Sequence, residues 1–269
     1  MPDTVEYEHH RVALSNKVIT RRHFGVMAGG ALASFGLLGR SCNRGSKPRE
    51  ANDGRLTARP HANVEASNKV ERELGLDRNR DAFLQLPTKA TSAPLPLVVL
   101  FHGAGQSAEW MLGRLGSAAD EAGVAVLAPY SRGSTWDAIR DGFGRDVIFV
   151  NRALERVFDT VAVDRARIAV GGFSDGATYA LSVGLINGDL FRRVVAFSPG
   201  FVVGGKPYGT PKFFISHGTG DPILPIDRCS RRIVRELREH GYDVTFREFD
   251  GGHEIRSDIA HDGMRWVAV

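Results

Sequence analysis

Three residues far apart in the chain carry side chains that together could break a carboxylic ester. Ser174 stands in Gly172-Phe173-Ser174-Asp175-Gly176, Asp221 in Ser216-His217-Gly218-Thr219-Gly220-Asp221-Pro222, and His253 in Asp250-Gly251-Gly252-His253. A serine hydroxyl is a weak nucleophile at neutral pH until a base takes its proton, and the base needs a third group to fix its tautomer and direction. The spacing predicts Ser174 as nucleophile, His253 as base and Asp221 as the group that orients His253. The chain order serine, acid, histidine is one of the orders in which this chemistry recurs. Asp250 is the rival acid, but it closes the strand before His253 and is expected to shape that turn. His217 is expected to be a packed or hydrogen-bonded loop residue.

Short Gly/Ser patterns arise by chance, so the flanks of the pentapeptide carry the weight. Arg167-Ile168-Ala169-Val170-Gly171 reads as a strand directly before it and Ala177-Thr178-Tyr179-Ala180-Leu181 as a helix directly after. A sharp strand-turn-helix passage exposes the serine oxygen at a helix N-terminus, and small flanking residues let the chain turn there. Attack on an ester creates an oxyanion that needs fixed donors. The backbone N–H of Asp175 is one expected donor. The second is expected from His102-Gly103-Ala104-Gly105, with Ala104 N–H chosen and Gly103 or Gly105 left open; His102 is expected to hold this loop.

These residues need a scaffold, and the body of the chain supplies its rhythm. Strand-length apolar runs occupy 82–86, 95–101, 124–128, 167–173, 193–198, 212–217 and 243–249, and helix-period segments occupy 107–122, 144–161, 175–186, 226–240 and 257–268. A near-continuous run such as Leu97-Val98-Val99-Leu100-Phe101 suits a parallel strand buried on both faces. The alternation predicts one α/β domain over 76–269, with a mostly parallel central sheet, helices on both faces, and function at the carboxyl ends of the strands. Only residues 199–211 separate two successive strands, too few for a separate lid domain.

Charge is unevenly placed. The chain has 35 Lys and Arg against 31 Asp and Glu, but the first 75 residues hold 12 and 8 of them, which leaves 23 of each in 76–269. A neutral body argues against a nucleic-acid partner. The two cysteines, Cys42 and Cys229, form no C-x-x-C motif, and Cys229 reads as a small packing residue. No closely spaced ligand set points to a metal.

In the first 42 residues, Arg21-Arg22-His23-Phe24 precedes an uncharged run from Phe24 to Gly39 that is too short and too rich in Gly and Ala to span a bilayer. The segment resembles a twin-arginine export signal, which implies passage across the bacterial inner membrane to a periplasmic or extracellular location. Gly39-Arg40-Ser41-Cys42 is similar to a lipoprotein-processing site but departs from it at Gly39 and Arg40, so a lipidated Cys42 as membrane anchor is the subordinate reading. Residues 43–75 read as a polar linker.

Taken with Phe101-His102-Gly103-Ala104-Gly105 and Phe197-Ser198-Pro199-Gly200, the three catalytic motifs resemble the phospholipase/carboxylesterase branch of the α/β-hydrolases over residues 80–269. Asp175 and Ala177 depart from that branch, which often has Gln and Gly there. The resemblance implies a cofactor-free serine esterase acting on a small-molecule or lipid-like ester, with a Ser174–His253–Asp221 triad. A polyester depolymerase and a feruloyl-type esterase share this chemistry. Trp136 and Phe201 follow the carboxyl ends of two strands and are candidate substrate-binding residues. Two readings of other classes are weaker. Gly103-Ala104-Gly105-Gln106-Ser107-Ala108 fits a dinucleotide fingerprint for an NAD(P)-binding oxidoreductase, but the next strand ends in Pro129-Tyr130 with no acid for the ribose. A catalytically dead binding protein leaves the complete triad unexplained.

Overall fold

The computed structural model describes residues 53–61, 64, 72–89 and 93–269. Seven strands form one sheet: β1 (Ala82–Gln85), β2 (Leu95–Phe101), β3 (Ala125–Pro129), β4 (Val163–Phe173), β5 (Arg193–Phe197), β6 (Lys212–Gly218) and β7 (Val244–Phe249). Their spatial order is β1-β3-β2-β4-β5-β6-β7. β1 runs antiparallel to β3, and every other pair is parallel. Among the described residues four α-helices lie between strands, α1 (Ala108–Glu121), α2 (Arg145–Thr160), α3 (Asp175–Ile186) and α4 (Ser230–Glu239), and α5 (Ser257–Ala268) follows β7.

The continuous apolar strands have the burial that a doubly covered sheet requires. Leu97 through Phe101 are all inaccessible, and alternate side chains enter two separate cores. Leu97, Val99 and Phe101 meet α2 and α3 on one face; Val98 and Leu100 meet α1 and α5 on the other. After Asp175 every residue of α3 is buried, while α2 is buried along one stripe through Val147, Val150, Leu154 and Phe158. Residues 199–211 carry no helix or strand.

Two boundaries lie four residues from the expected ones. β4 begins at Val163, because a register irregularity in β2 lets Leu95 pair with Val163 ahead of the regular ladder. α4 begins at Ser230 because the chain leaving Pro225 turns tightly first, with the Arg228 and Cys229 amides both donating to the Pro225 carbonyl.

Residues 53–61 and 72–75, expected to belong to a polar linker, lie on the body. Leu74 N–H donates to Ala82 O and Leu84 N–H to Arg72 O, so the chain before β1 folds back along it. In 53–61, Gly54, Leu56, Ala58 and Pro60 face inward and alternate with outward residues. Residues 1–52, which contain the expected export signal and Cys42, lie outside the described residues.

Candidate active site

Ser174 occupies the turn between β4 and α3 with φ at 56°, a left-handed conformation that costs a non-glycine residue about 1–3 kcal/mol. The surroundings enforce it. The Ser174 amide donates to Phe197 O at 2.9 Å, and Ser174 O accepts the Thr178 amide that starts α3. Neither flanking glycine could carry a side chain: a Cβ on Gly172 would lie 2.7 Å from Phe101 O, and one on Gly176 would lie 2.1 Å from it. The Gly-x-Ser-x-Gly spacing is thus the condition for α3 to start against the end of β2.

Asp221 and His253 stand on the loops after β6 and β7. The Thr219 amide donates to Phe249 O and the Gly220 amide to Gly251 O, which ties the loop after β6 to the loop after β7. Gly218 makes this approach possible, since a Cβ there would sit 2.2 Å from Gly252 O. The result is a hydrogen-bonded chain. Ser174 Oγ donates to His253 Nε2 at 2.8 Å, and His253 Nδ1 donates to Asp221 Oδ2 at 2.6 Å. Asp221 Oδ1 accepts the Ile223 and Leu224 amides at 2.9 and 2.8 Å. Burial alone would raise the Asp221 carboxyl, but the Leu224 amide, His253 and the Ile223 amide together hold it below the ordinary aspartate range. Asp221 therefore stays ionised beside the imidazole. Asp250, the rival acid, is exposed.

The loop after β2 starts against the first turn of α3, where a Cβ on Gly176 would lie 2.5 Å from His102 O. His102 is fully buried, and burial lowers its pKa, so the ring is neutral. Its Nδ1 donates to Gly103 O at 2.8 Å and its Nε2 accepts the Ser131 amide at 3.1 Å. The Gly103 amide donates to Gln106 Oε1 and the Gly105 amide to Ser134 O. That leaves Ala104, whose N–H and that of Asp175 have no hydrogen-bond partner among the described residues. Nothing in the residue pattern singles out Gln106 or Ser134, because their roles depend on a fold-back of the loop that no periodicity records. Thr135 is likewise silent in the sequence; its Oγ1 donates to Asp175 Oδ2 at 2.6 Å and ties the loop after β3 to the start of α3.

The two expected substrate-binding residues part company. Trp136 is wholly buried, packed against Phe101, His102 and Tyr179, with its indole N–H donating to His102 O at 2.8 Å. It offers no surface to a ligand and supports the loop after β2 from behind. Phe201 is 40% exposed on the loop after β5, and Ile223, not expected from the sequence, is 63% exposed two residues after Asp221. The two loops touch, since a Cβ on Gly200 would meet Leu224 Cδ2 at 3.5 Å. Cys229 is a buried thiol; burial pushes its pKa up to about 11.

Residues 146–265 match the phospholipase/carboxylesterase family. The chain is 29% identical over 156 residues to a protein of Aspergillus oryzae named "Probable feruloyl esterase C", covering 52% of this chain and 57% of that one. It is 33% identical over 85 residues to Feruloyl esterase C of Emericella nidulans, covering 31% and 32%. The chain thus spans little more than half the length of the first of these relatives and about a third of the second. Among solved structures, a carboxylesterase of Bacillus cereus is similar with a TM-score of 0.53 at 21% identity, over 70% of this chain and 93% of that one. A truncated carbohydrate esterase from gut microbiota gives a TM-score of 0.59 at 17% identity, over 77% and 97%. The chain has the α/β-hydrolase fold.

Proposed function

We propose that this protein is a serine esterase that hydrolyses carboxylic esters through an acyl-enzyme on Ser174. The observation that carries the reading is the unbroken hydrogen-bonded chain from Ser174 Oγ through His253 to the ionised Asp221. Ser174 Oγ attacks the ester carbonyl carbon while its proton passes to His253 Nε2. The resulting oxyanion is received by the Ala104 and Asp175 N–H groups, and the start of α3 adds its dipole. Asp221 stabilises the imidazolium without taking its proton. As the carbonyl reforms, the bond to the alcohol oxygen breaks and His253 protonates the departing alkoxide. Water then attacks the acyl-enzyme, giving its proton to His253, and Ser174 leaves with that proton restored.

The exposed apolar side chains of Phe201 and Ile223, on the loops after β5 and β6, favour an ester with an apolar acyl or alcohol group. The names of the curated relatives favour an aryl-substituted acyl group within that class. The test is to treat the purified protein with a serine-reactive fluorophosphonate and to compare p-nitrophenyl butyrate with methyl ferulate as substrates. Labelling at Ser174 with turnover of at least one ester is the expected result. A protein that neither labels nor turns over would remove the reading, and turnover of p-nitrophenyl butyrate alone would remove the aryl preference.

The leader carries a separate proposal. Arg21 and Arg22 direct export across the inner membrane, so replacing both by Lys leaves the esterase active and retained in the cytoplasm. Unchanged export of the double variant would overturn it.

A further inference from the structure

His217 lies on β6 four residues before the acid and takes no part in the proton path above, yet its ring touches the acid. Its side chain and that of Asp221 are both 0% exposed. The Nε2 atom lies 2.7 Å from Leu224 O and 3.1 Å from Asp221 Oδ2. Both neighbours are acceptors, so Nε2 must carry the proton. Nδ1 lies 2.6 Å from Ser230 Oγ and therefore accepts the Ser230 hydroxyl. Burial lowers the pKa of this histidine, outweighing Leu224 O and Asp221, which favour its charged form, so the ring is a neutral donor with one fixed tautomer.

Asp221 is engaged on both oxygens. Oδ1 takes the Ile223 and Leu224 amides and Oδ2 takes His253 Nδ1–H, while His217 Nε2–H, bonded to Leu224 O at 2.7 Å, also lies 3.1 Å from Oδ2. The amides hold Oδ1, and the His217 N–H edge gives the oxygen that faces His253 a second polar contact. A packing histidine with no such task would need neither the carboxylate contact nor a buried hydroxyl holding its other nitrogen.

We propose that His217 is a positioning residue that acts through Asp221, with Ser230 fixing its tautomer, so that Oδ2 faces His253 in a single orientation. The proposal rests on the Ser174–His253–Asp221 reading. A neutral donor suits this task better than a charged one. An imidazolium at His217 would compete with His253 for the charge of Asp221 and weaken its hold on the imidazolium that forms during acylation.

The test compares His217→Gln, whose amide can still donate toward Asp221, with His217→Leu, which cannot, in the wild-type and Asp221→Asn backgrounds. The readouts are kcat and KM for p-nitrophenyl butyrate, the rate of fluorophosphonate labelling, and thermal unfolding. Expected for His217→Leu is a kcat loss of roughly 10- to 100-fold with KM nearly unchanged, as for other residues that orient a reacting group's partner. His217→Gln should recover most of that loss. In the Asp221→Asn background His217→Leu should cost no more than about 3-fold, because two residues acting through one group are not additive. Equal losses for Gln and Leu in folded proteins, or full multiplicative losses in both backgrounds, would overturn the proposal. Should His217→Leu not fold, Ser230→Ala replaces it: a kcat loss that disappears in Asp221→Asn supports the proposal, and a loss that persists there overturns it. Wild-type labelling keeps the two readings apart. Failure to label Ser174 removes the triad, whereas normal labelling with additive His217 variants removes only the role of His217.

Discussion

Ser174 holds its strained backbone because Gly172, Gly176 and the end of β2 leave no other path from β4 into α3. A residue held so tightly delivers its oxygen to one place, and the consequence is measurable as a failure of additivity. Ser174→Ala and His253→Ala are each expected to lose about three or more decades of kcat, and the double variant little more, because triad members act as a unit. Asp221→Asn should cost less than either, and the exposed Asp250→Asn should leave kcat within about 2-fold, since a surface carboxylate without a ring partner orients nothing. Esterase kinetics on the five variants check this; damage from Asp250→Asn with a mild Asp221→Asn would reverse the choice of acid. On the proposed reading these three residues were legible because Ser174 stands between two glycines with no room for a side chain, and Asp221 and His253 follow glycine-bearing strand ends that meet at Gly218. The sequence favours Ala104 over Gly103 and Gly105, but the contacts that set its amide apart were not legible. They depend on Gln106 Oε1 and Ser134 O, which engage the two glycine amides and whose positions follow from the folded loop.

The segment from β3 to α2 works as one element that braces the site from behind. Ser131 gives its amide to His102, Thr135 bonds Asp175, and Trp136 bonds the His102 carbonyl. A tryptophan after a strand end fits a pocket wall or a core equally well by sequence, and only its packing in a cluster with Tyr179 and Phe101 decides for the core. Trp136→Phe keeps most of the packing and leaves a buried carbonyl unpaired, at a cost of about 1–3 kcal/mol. The expected outcome is a lower unfolding midpoint with a modest fall in kcat at constant KM; a raised KM alone would return Trp136 to the substrate pocket. The same segment is pinned to α2 by Asp146, which accepts the Arg132 and Asp137 amides while its own amide donates to Asp137 Oδ2. Burial, with the charge of Asp137 added, raises the Asp146 carboxyl to about 6 despite those amides. Because this folded value lies above the ordinary aspartate value, near 3.9, the folded state binds the extra proton between the two. The contribution of Asp146 to stability is therefore full below about pH 4 and declines as the pH rises through about 6. Urea unfolding of the wild type against Asp146→Asn should show the wild-type advantage shrinking over that window by an amount on the order of 2–3 kcal/mol. An advantage that grows with pH would mean that Asp146 ionises readily in the fold.

At the scale of the whole molecule, the body does not begin where the apolar rhythm begins. Residues 53–61 lie in an extended course across α2 and the end of α3, and side chains take the place of a partner strand. The Leu56 amide donates to Asn187 Oδ1, the Thr57 and Ala58 amides to Asn151 Oδ1, and Arg55 grips Asp189 with two hydrogen bonds. The alternation was hidden in the sequence, since only Leu56 among the inward residues is strongly apolar and its partners stand more than 90 residues away. Most of the strands were legible because their central residues are apolar by themselves; this strap is held by pairings that no local window contains. A chain starting at residue 62 should keep its triad and kcat, and should unfold roughly 5–10 °C lower. Burial of Leu56 is worth about 1.5–3 kcal/mol and the lost hydrogen bonds add to it, at about 2–4 °C per kcal/mol for a domain of this size. Acid should loosen the strap in the full chain. Arg55, with Arg59 beside it, holds Asp189 well below the ordinary aspartate range, so this contribution is present above that range and is lost as the pH falls through it. Part of the attraction is screened, because Asp189 is 38% exposed. Asp189→Asn should therefore lower the unfolding temperature at pH 7, with the difference from wild type fading toward pH 2. A truncated chain with an unchanged midpoint would show that the strap rides on the surface and contributes nothing to the fold.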